Sequence, residues 1–202
     1  MTLLAPIPIR RRQHAAALAT ERLLLRAPKP EDAQPIARLA NDRRIAENTL
    51  RIPHPYSVAD ARAFIAAANA TPDETVFLIT TRGGTVLGAC GVAGLTGSTP
   101  EIGWWLGVPC WGKGYATEAA RAVIDHAFGD LGHEVLVGGA RVSNPASRRV
   151  LEKCGFQWTG VGLYRIRALQ SSAPIDRFRL DRALWASLKS WGGPRLVPGA
   201  GL

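Results

Sequence analysis

Acidic side chains are in short supply in this chain. Across 202 residues, 16 Asp and Glu face 25 Lys and Arg, a formal charge of +9. Such a balance suits an anionic ligand, nucleic acid or a ribosome surface, but no nucleic-acid motif accompanies the scattered arginines. Most of those arginines, Arg141, Arg148, Arg149, Arg177 and Arg179 among them, read as solvated surface. Cysteine is also sparse. Cys90, Cys110 and Cys154 have neither pairable nor metal-like spacing, which fits a reducing compartment and gives the expectation of a cytoplasmic protein. His14, His54, His126 and His133 lack ligand spacing too, so no metal is expected. No apolar run approaches the ~18 residues of a membrane span. The N-terminus places apolar residues before Arg10-Arg11-Arg12, the reverse of a secretory signal.

What is present reads as one globular domain over residues 20–189, with a flexible extension at 1–19 and a Gly/Pro-rich tail at 190–202. Residues 23–25 read as a short strand and 30–42 as a helix, with Asp32 as N-cap and Pro35 harmlessly inside its first turn. Ser57-Val58-Ala59-Asp60 resembles a capping box opening a second helix. Strands at 75–80 and 85–95 flank the turn signal Arg82-Gly83-Gly84. A strand at 101–108 follows, then a helix with Ala116, Ala120, Val123, Ala127 and Leu131 on one face and Gly132 as its stop. After a strand at 135–142, Asn144, Pro145 and Gly155 bracket a short helix, and strands at 156–162 and 175–180 close the order. The order βααβββαβαββ predicts an α/β fold of the α+β type, with a mixed sheet.

Residues 103–120 carry the strongest signal. A strand-like run meets the glycine loop Trp111-Gly112-Lys113-Gly114-Tyr115-Ala116, and a helix starts at once. Glycines allow close backbone approach, and the first helical N–H groups have no internal acceptor, so this junction suits a phosphate. It is too short for a P-loop, and no Gly-x-Gly-x-x-Gly follows a strand.

The loop resembles the Arg/Gln-x-x-Gly-x-Gly/Ala signature of the GNAT N-acetyltransferases, with Trp111 replacing the leading residue. The longer string from Trp111 to Ala119 resembles the Rim-type branch, which acetylates ribosomal proteins. Thr20 to Arg26, Asn144 to Ser147 with Glu152 to Phe156, and Arg177 to Leu180 resemble further family segments in the family's order, over about residues 20–188.

The resemblance implies a mostly antiparallel central sheet flanked by helices, whose fourth and fifth strands (101–108 and 135–142) splay to admit acetyl-CoA. Leu106 and Val108 would pair with pantetheine through their backbone. Gly112, Lys113, Gly114, Ala116 and Thr117 would hold the pyrophosphate, and Asn144 would touch the CoA arm. Glu101 would be the base. Ser147 would be the acid for the leaving thiolate, a role that other branches give to Tyr; sequence alone places neither Tyr115 nor Tyr164. Arg51, His54, Tyr56 and Trp105 are candidates for the amine acceptor pocket, with ordinary loop and core packing as the competing reading. An α-amine is ~30% neutral near pH 7.4 and a lysine only ~0.1%, which leans toward N-terminal or small-molecule amines. A ribosomal-protein substrate, a homodimer, and a non-catalytic acyl-CoA-sensing or RNA-binding role on the same fold all stay open.

Overall fold

A computed structural model gives the architecture for residues 17–71, 74–94 and 99–192. The extension up to residue 16, Leu95 and the tail from 193 lie outside the described residues. The elements are β1 (Leu18–Ala19), β2 (Leu23–Arg26), α1 (Ala33–Ala40), α2 (Arg43–Ala46), α3 (Val58–Ala70), β3 (Glu74–Thr81), β4 (Val86–Ala93), β5 (Glu101–Leu106), α4 (Tyr115–Gly129), β6 (Val135–Arg141), α5 (Pro145–Lys153), β7 (Gln157–Ile166), β8 (Ser171–Asp181) and α6 (Arg182–Gly192). They build an eight-stranded sheet in the order β1-β2-β3-β4-β5-β6-β8-β7. Every neighbouring pair is antiparallel except β5–β6.

Strand alternation sorts the core into two layers. Phe77, Ile79, Cys90, Ile102 and Leu106 face α4 and α5, where they meet Ala120, Val123, Ile124, Phe128 and Leu151. Phe128 is fully buried; such burial is worth about 2–3 kcal/mol. Leu78 and Ala89 face the other way, against Ile36 and Ala40 of α1 and Ala61 and Ile65 of α3. Ser57 and Asp60 form the expected reciprocal capping box at the start of α3. Among the described residues no helix is long and apolar enough to cross a membrane.

Several sequence-based boundaries are corrected. Leu18–Ala19 pairs with Leu24 and Leu25, so the sheet begins inside the expected extension; a two-residue strand has no periodicity to read. The chain also continues as α6 through Gly192, with Leu184 and Trp185 packed on the core. Asp32 holds the N-cap position of α1 as expected, but its side chain makes no cap. Its carboxylate is taken instead by Arg26, at 2.7 and 2.8 Å. On α4, Ala120, Val123 and Ala127 are buried as expected, joined by Ala119, Ile124 and Phe128, whereas Leu131 lies beyond the helix end and is exposed. The strand at 101–108 ends at Leu106, because Val108–Cys110 turns into a 3-10 helix.

The feature that positions the site is the divergence of β5 from β6. β5 is bonded to β4 along its whole length and β6 to β8 along its own. Between the two, only Glu101↔Val137 and Ile102↔Gly138 are in register. Past Ile102 each strand stays with its outer partner, and a gap opens.

Candidate active site

The glycine loop sits at the end of β5. Trp111 folds back, donating its indole N–H to the Leu106 carbonyl at 2.8 Å and its backbone N–H to the Val108 carbonyl at 3.1 Å. Gly112 and Gly114 then take φ values of +74° and +80°, a region costly for residues with a Cβ. Gly114 caps α4 with no side chain, and the first intrahelical bond is Glu118 N–H to Gly114 C=O at 3.1 Å. The N–H groups of Tyr115, Ala116 and Thr117 precede that bond, and none is bonded to a backbone acceptor among the described residues. Lys113 is exposed at the loop tip.

Arg22 and Glu118 brace this loop. Glu118 accepts from the Thr20 hydroxyl at 2.6 Å, the Arg22 N–H at 2.9 Å and the Arg22 Nε at 2.7 Å. Burial opposes ionisation, yet these hydrogen bonds and the guanidinium charge hold the Glu118 carboxyl below the usual range. The same guanidinium donates to the Lys113 carbonyl at 3.0 Å and lies 4.7 Å from the centre of the Tyr115 ring. Tyr115 is thereby committed to the loop support. A groove of about 1180 Å³ runs from Gly114 and Thr117 down the outer face of α4, between Arg22 and Lys153. It does not reach Glu101 or Ser147.

The walls of the gap come from β5 and from the β6–α5 junction. Gly107 N–H bonds Leu87 C=O, and the β4–β5 register continues from there. Alternation therefore turns the peptide groups of Trp104 and Leu106 toward the side that β6 has left. With the Leu106 and Val108 carbonyls engaged by Trp111, donors are what this wall offers from Leu106. Opposite, Asn144 caps α5 by accepting the Ser147 N–H at 3.2 Å, and its Nδ2 donates to Ser147 Oγ at 3.0 Å. Because Oγ accepts from Asn144, its own proton is free to be donated elsewhere.

On the face shared with α1 and α3, Glu101 Oε1 accepts from Arg177 Nη1 at 2.8 Å. The pair lies over Gly139: a Cβ there would meet Ile175 Cγ2 at 2.9 Å and Arg177 Nη1 at 3.0 Å, so the bare backbone is the pair's floor. The Arg177 guanidinium also covers the Tyr164 ring, 5.0 Å from its centre. Trp105 shares this face and packs on the α1–α3 layer, while Trp104 packs on the opposite layer.

The four candidates for the acceptor pocket divide. Tyr56 is a core residue of the α1–α3 layer, and Trp105 is partly buried against it. Burial pushes the Tyr56 phenol up to about 12, with Asp60 adding to it. Arg51 pairs with Glu74 at 2.5 Å and projects outward, and His54 is exposed. The partners missing from the sequence reading are Arg177 and Tyr164 beside Glu101, and Arg22 and Glu118 beneath the loop. Strand alternation around Glu101 was the available signal; the sheet order that brings β8 next to β6 was not available.

A family model for the acetyltransferase (GNAT) domain matches residues 22–157. The chain belongs to the GNAT acetyltransferase family. This GNAT chain is 30% identical over 150 residues to the uncharacterized N-acetyltransferase p20 of Bacillus licheniformis, covering 71% of this chain and 84% of that one. Among solved structures, a GNAT-family acetyltransferase from Bacillus anthracis superposes with a TM-score of 0.73 at 22% identity, covering 83% of this chain and 99% of that one. Spermidine N-acetyltransferase from Vibrio cholerae, solved in complex with CoA and spermine, gives a TM-score of 0.71 at 20% identity, with 83% and 99% covered. At these identities the two structures establish likeness of fold.

Proposed function

We propose that this acyltransferase uses acetyl-CoA and acetylates a primary amine directly, with both substrates bound together. The observation that carries the proposal is the row of unpaired N–H groups at the start of α4, opening beside the gap between β5 and β6. The residues present fit the cofactor. Gly112 and Gly114 leave the loop free of side chains at positive φ, the donors of Tyr115, Ala116 and Thr117 suit a pyrophosphate, and Lys113 adds a cation. Asn144 and the Leu106 N–H lie on the two walls that would flank the pantetheine arm. The CoA complex of the Vibrio cholerae neighbour supports the same ligand class.

Acetyl-CoA would supply an activated acetyl thioester. The Leu106 N–H is available to stabilise negative charge on a carbonyl oxygen. Ser147, with Oγ already accepting from Asn144, is available to protonate a leaving sulfur. Glu101 keeps Oε2 to receive the amine proton, directly or through water, while Arg177 holds Oε1. An acceptor that is already ~30% neutral asks less of Glu101 than one ~0.1% neutral. An α-amine is therefore the favoured acceptor, and the Rim-type string from Trp111 to Ala119 supports a protein N-terminus as one form of it.

A screen of amine acceptors with acetyl-CoA and a free-thiol readout tests this. Amine-dependent thiol release is expected, reduced about 100-fold or more in Glu101→Gln and clearly reduced in Ser147→Ala, with acetyl-CoA affinity unchanged in both. Binding of acetyl-CoA without turnover on any amine would favour a sensing module instead. Absence of binding would remove the proposal altogether.

A further inference from the structure

Arg141 reads as surface in the sequence, yet it ends β6 on the face that carries Glu101. Alternation along β6 puts Val137, Gly139 and Arg141 on that face. Gly139 underlies the Glu101–Arg177 pair, and Arg141 is two residues further on, roughly 7 Å along the strand. Its Nη1 donates to the Glu47 carbonyl at 2.8 Å, tying β6 to the end of α2. Its Nε is sealed from water and has no acceptor. No carboxylate pairs with it among the described residues. With Nη1 engaged and Nε sealed, Nη2 is the guanidinium nitrogen left to a ligand, for a charge-assisted hydrogen bond to one carboxylate oxygen. A half-buried guanidinium without a counter-ion is costly, and an anion at Nη2 would offset that cost. The rest of the face cannot do so, because its nearby carboxylate, Glu101, is already bound to Arg177.

We infer that Arg141 recognises a carboxylate on the acceptor, and that the acceptor is a small amino-carboxylate such as a free amino acid. This rests on the acetyltransferase reading above and narrows it to an amine more basic than a peptide α-amine, one that asks more of Glu101 as base. The amine would sit at Glu101 and the carboxylate at Arg141, a span set by two residues of β6. Arg141 adds a positive charge to the face that holds the Glu101–Arg177 pair, which disfavours a polyamine.

The test compares the L-amino acids with their carboxamides, and both with spermidine, at saturating acetyl-CoA. The amide's α-amine is the less basic and thus the more neutral, so intrinsic reactivity favours the amide. A preference for the acid would run against that bias. The wild-type protein is expected to prefer at least one amino acid over its amide by about tenfold or more in kcat/KM. That ratio should fall toward one in Arg141→Gln through a higher KM for the acid, and should partly survive in Arg141→Lys. Loss of the Glu47 contact alone would lower stability without altering the acid-to-amide ratio, so melting curves separate the two effects. A wild-type ratio near one, an unchanged ratio in Arg141→Gln, or faster turnover of spermidine would overturn the inference while leaving the acetyltransferase reading intact. Failure to bind acetyl-CoA by calorimetry would overturn both.

Discussion

Replacing Gly114 by Asn and by Asp separates ligand binding from folding at the start of α4. Gly114 has φ +80°, and the nearest atom to an added Cβ is the flexible end of Arg22, at 3.3 Å. The backbone cost of either substitution is about 1–2 kcal/mol or less, since Asn and Asp tolerate the left-handed region best among residues with a Cβ. Asp adds a negative charge at a helix N-terminus, worth about 0.3–1 kcal/mol to the fold. It can also bond the N–H groups of Ala116 and Thr117 itself. The Asp variant should therefore melt no lower than the Asn variant. A bound diphosphate experiences the opposite effect. Two unit charges about 5 Å apart repel by about 1–3 kcal/mol at an effective dielectric between those of a protein surface and water. Titration calorimetry should thus show acetyl-CoA binding Gly114→Asp roughly 10- to 100-fold more weakly than Gly114→Asn. The difference should shrink in 1 M salt, where the screening length is about 3 Å. Equal affinities for the two variants would refute the anion cradle, because they differ in charge and hardly in size.

Other outcomes follow from the same geometry. Glu118→Gln removes the charged acceptor of Thr20 and Arg22 and should lower stability at pH 7 by about 1–2 kcal/mol, toward the low end because Arg22 is half open to water. The folded-state pKa of Glu118 is depressed, so its contribution is present above the unfolded value and lost as pH falls through the acidic range. Denaturant titrations at pH 7 and near pH 3 should accordingly show the gap between wild type and variant closing at the lower pH. Asn144→Asp keeps the acceptor that caps α5 but loses the Nδ2 donor to Ser147. It should melt within about 3 °C of wild type while its kcat falls. Asn144→Ala should lose both, with about 1 kcal/mol of stability; an unchanged kcat in the Asp variant would show that Asn144 acts as a cap alone.

Local chemistry was legible in the sequence and long-range pairing was not. The Asn144-Pro145 start of α5, the Ser57–Asp60 box and the Gly112–Gly114 turn depend on residues a few positions apart, and the structure has them where residue chemistry puts them. The pairing of Glu101 with Arg177 spans 76 positions and arises because β8 inserts between β6 and β7. Nothing local marks either residue as the other's partner. Arg141 shows the same limit. In sequence it is one of many arginines, and only the departure of β5 from β6 turns its neighbourhood into a cleft. Tyr56 is a further case. Pocket and core packing both stood open for it in the sequence, and the burial of its ring on the α1–α3 layer depends on how that layer packs.

The same layout bears on whether transfer is direct or passes through an acyl-enzyme. A covalent route needs a nucleophile near the acetyl group, and Cys110, at the head of the glycine loop, is the chain's nearest thiol in sequence. Burial pushes its thiol up, and Lys113 offsets this only in part. The thiol is the inactive form for attack. Its element is the 3-10 turn Val108–Cys110, whose geometry serves Trp111: the Val108 carbonyl takes the Trp111 N–H and the Leu106 carbonyl takes the indole. Cys110 thus belongs to the scaffold that ends β5. Free donor or acceptor capacity lies at the Leu106 N–H, Ser147 Oγ–H and Glu101 Oε2, along the diverging strands and the helix that follows them. Two ligands meeting in that gap would need no protein nucleophile, and this favours direct attack by the amine.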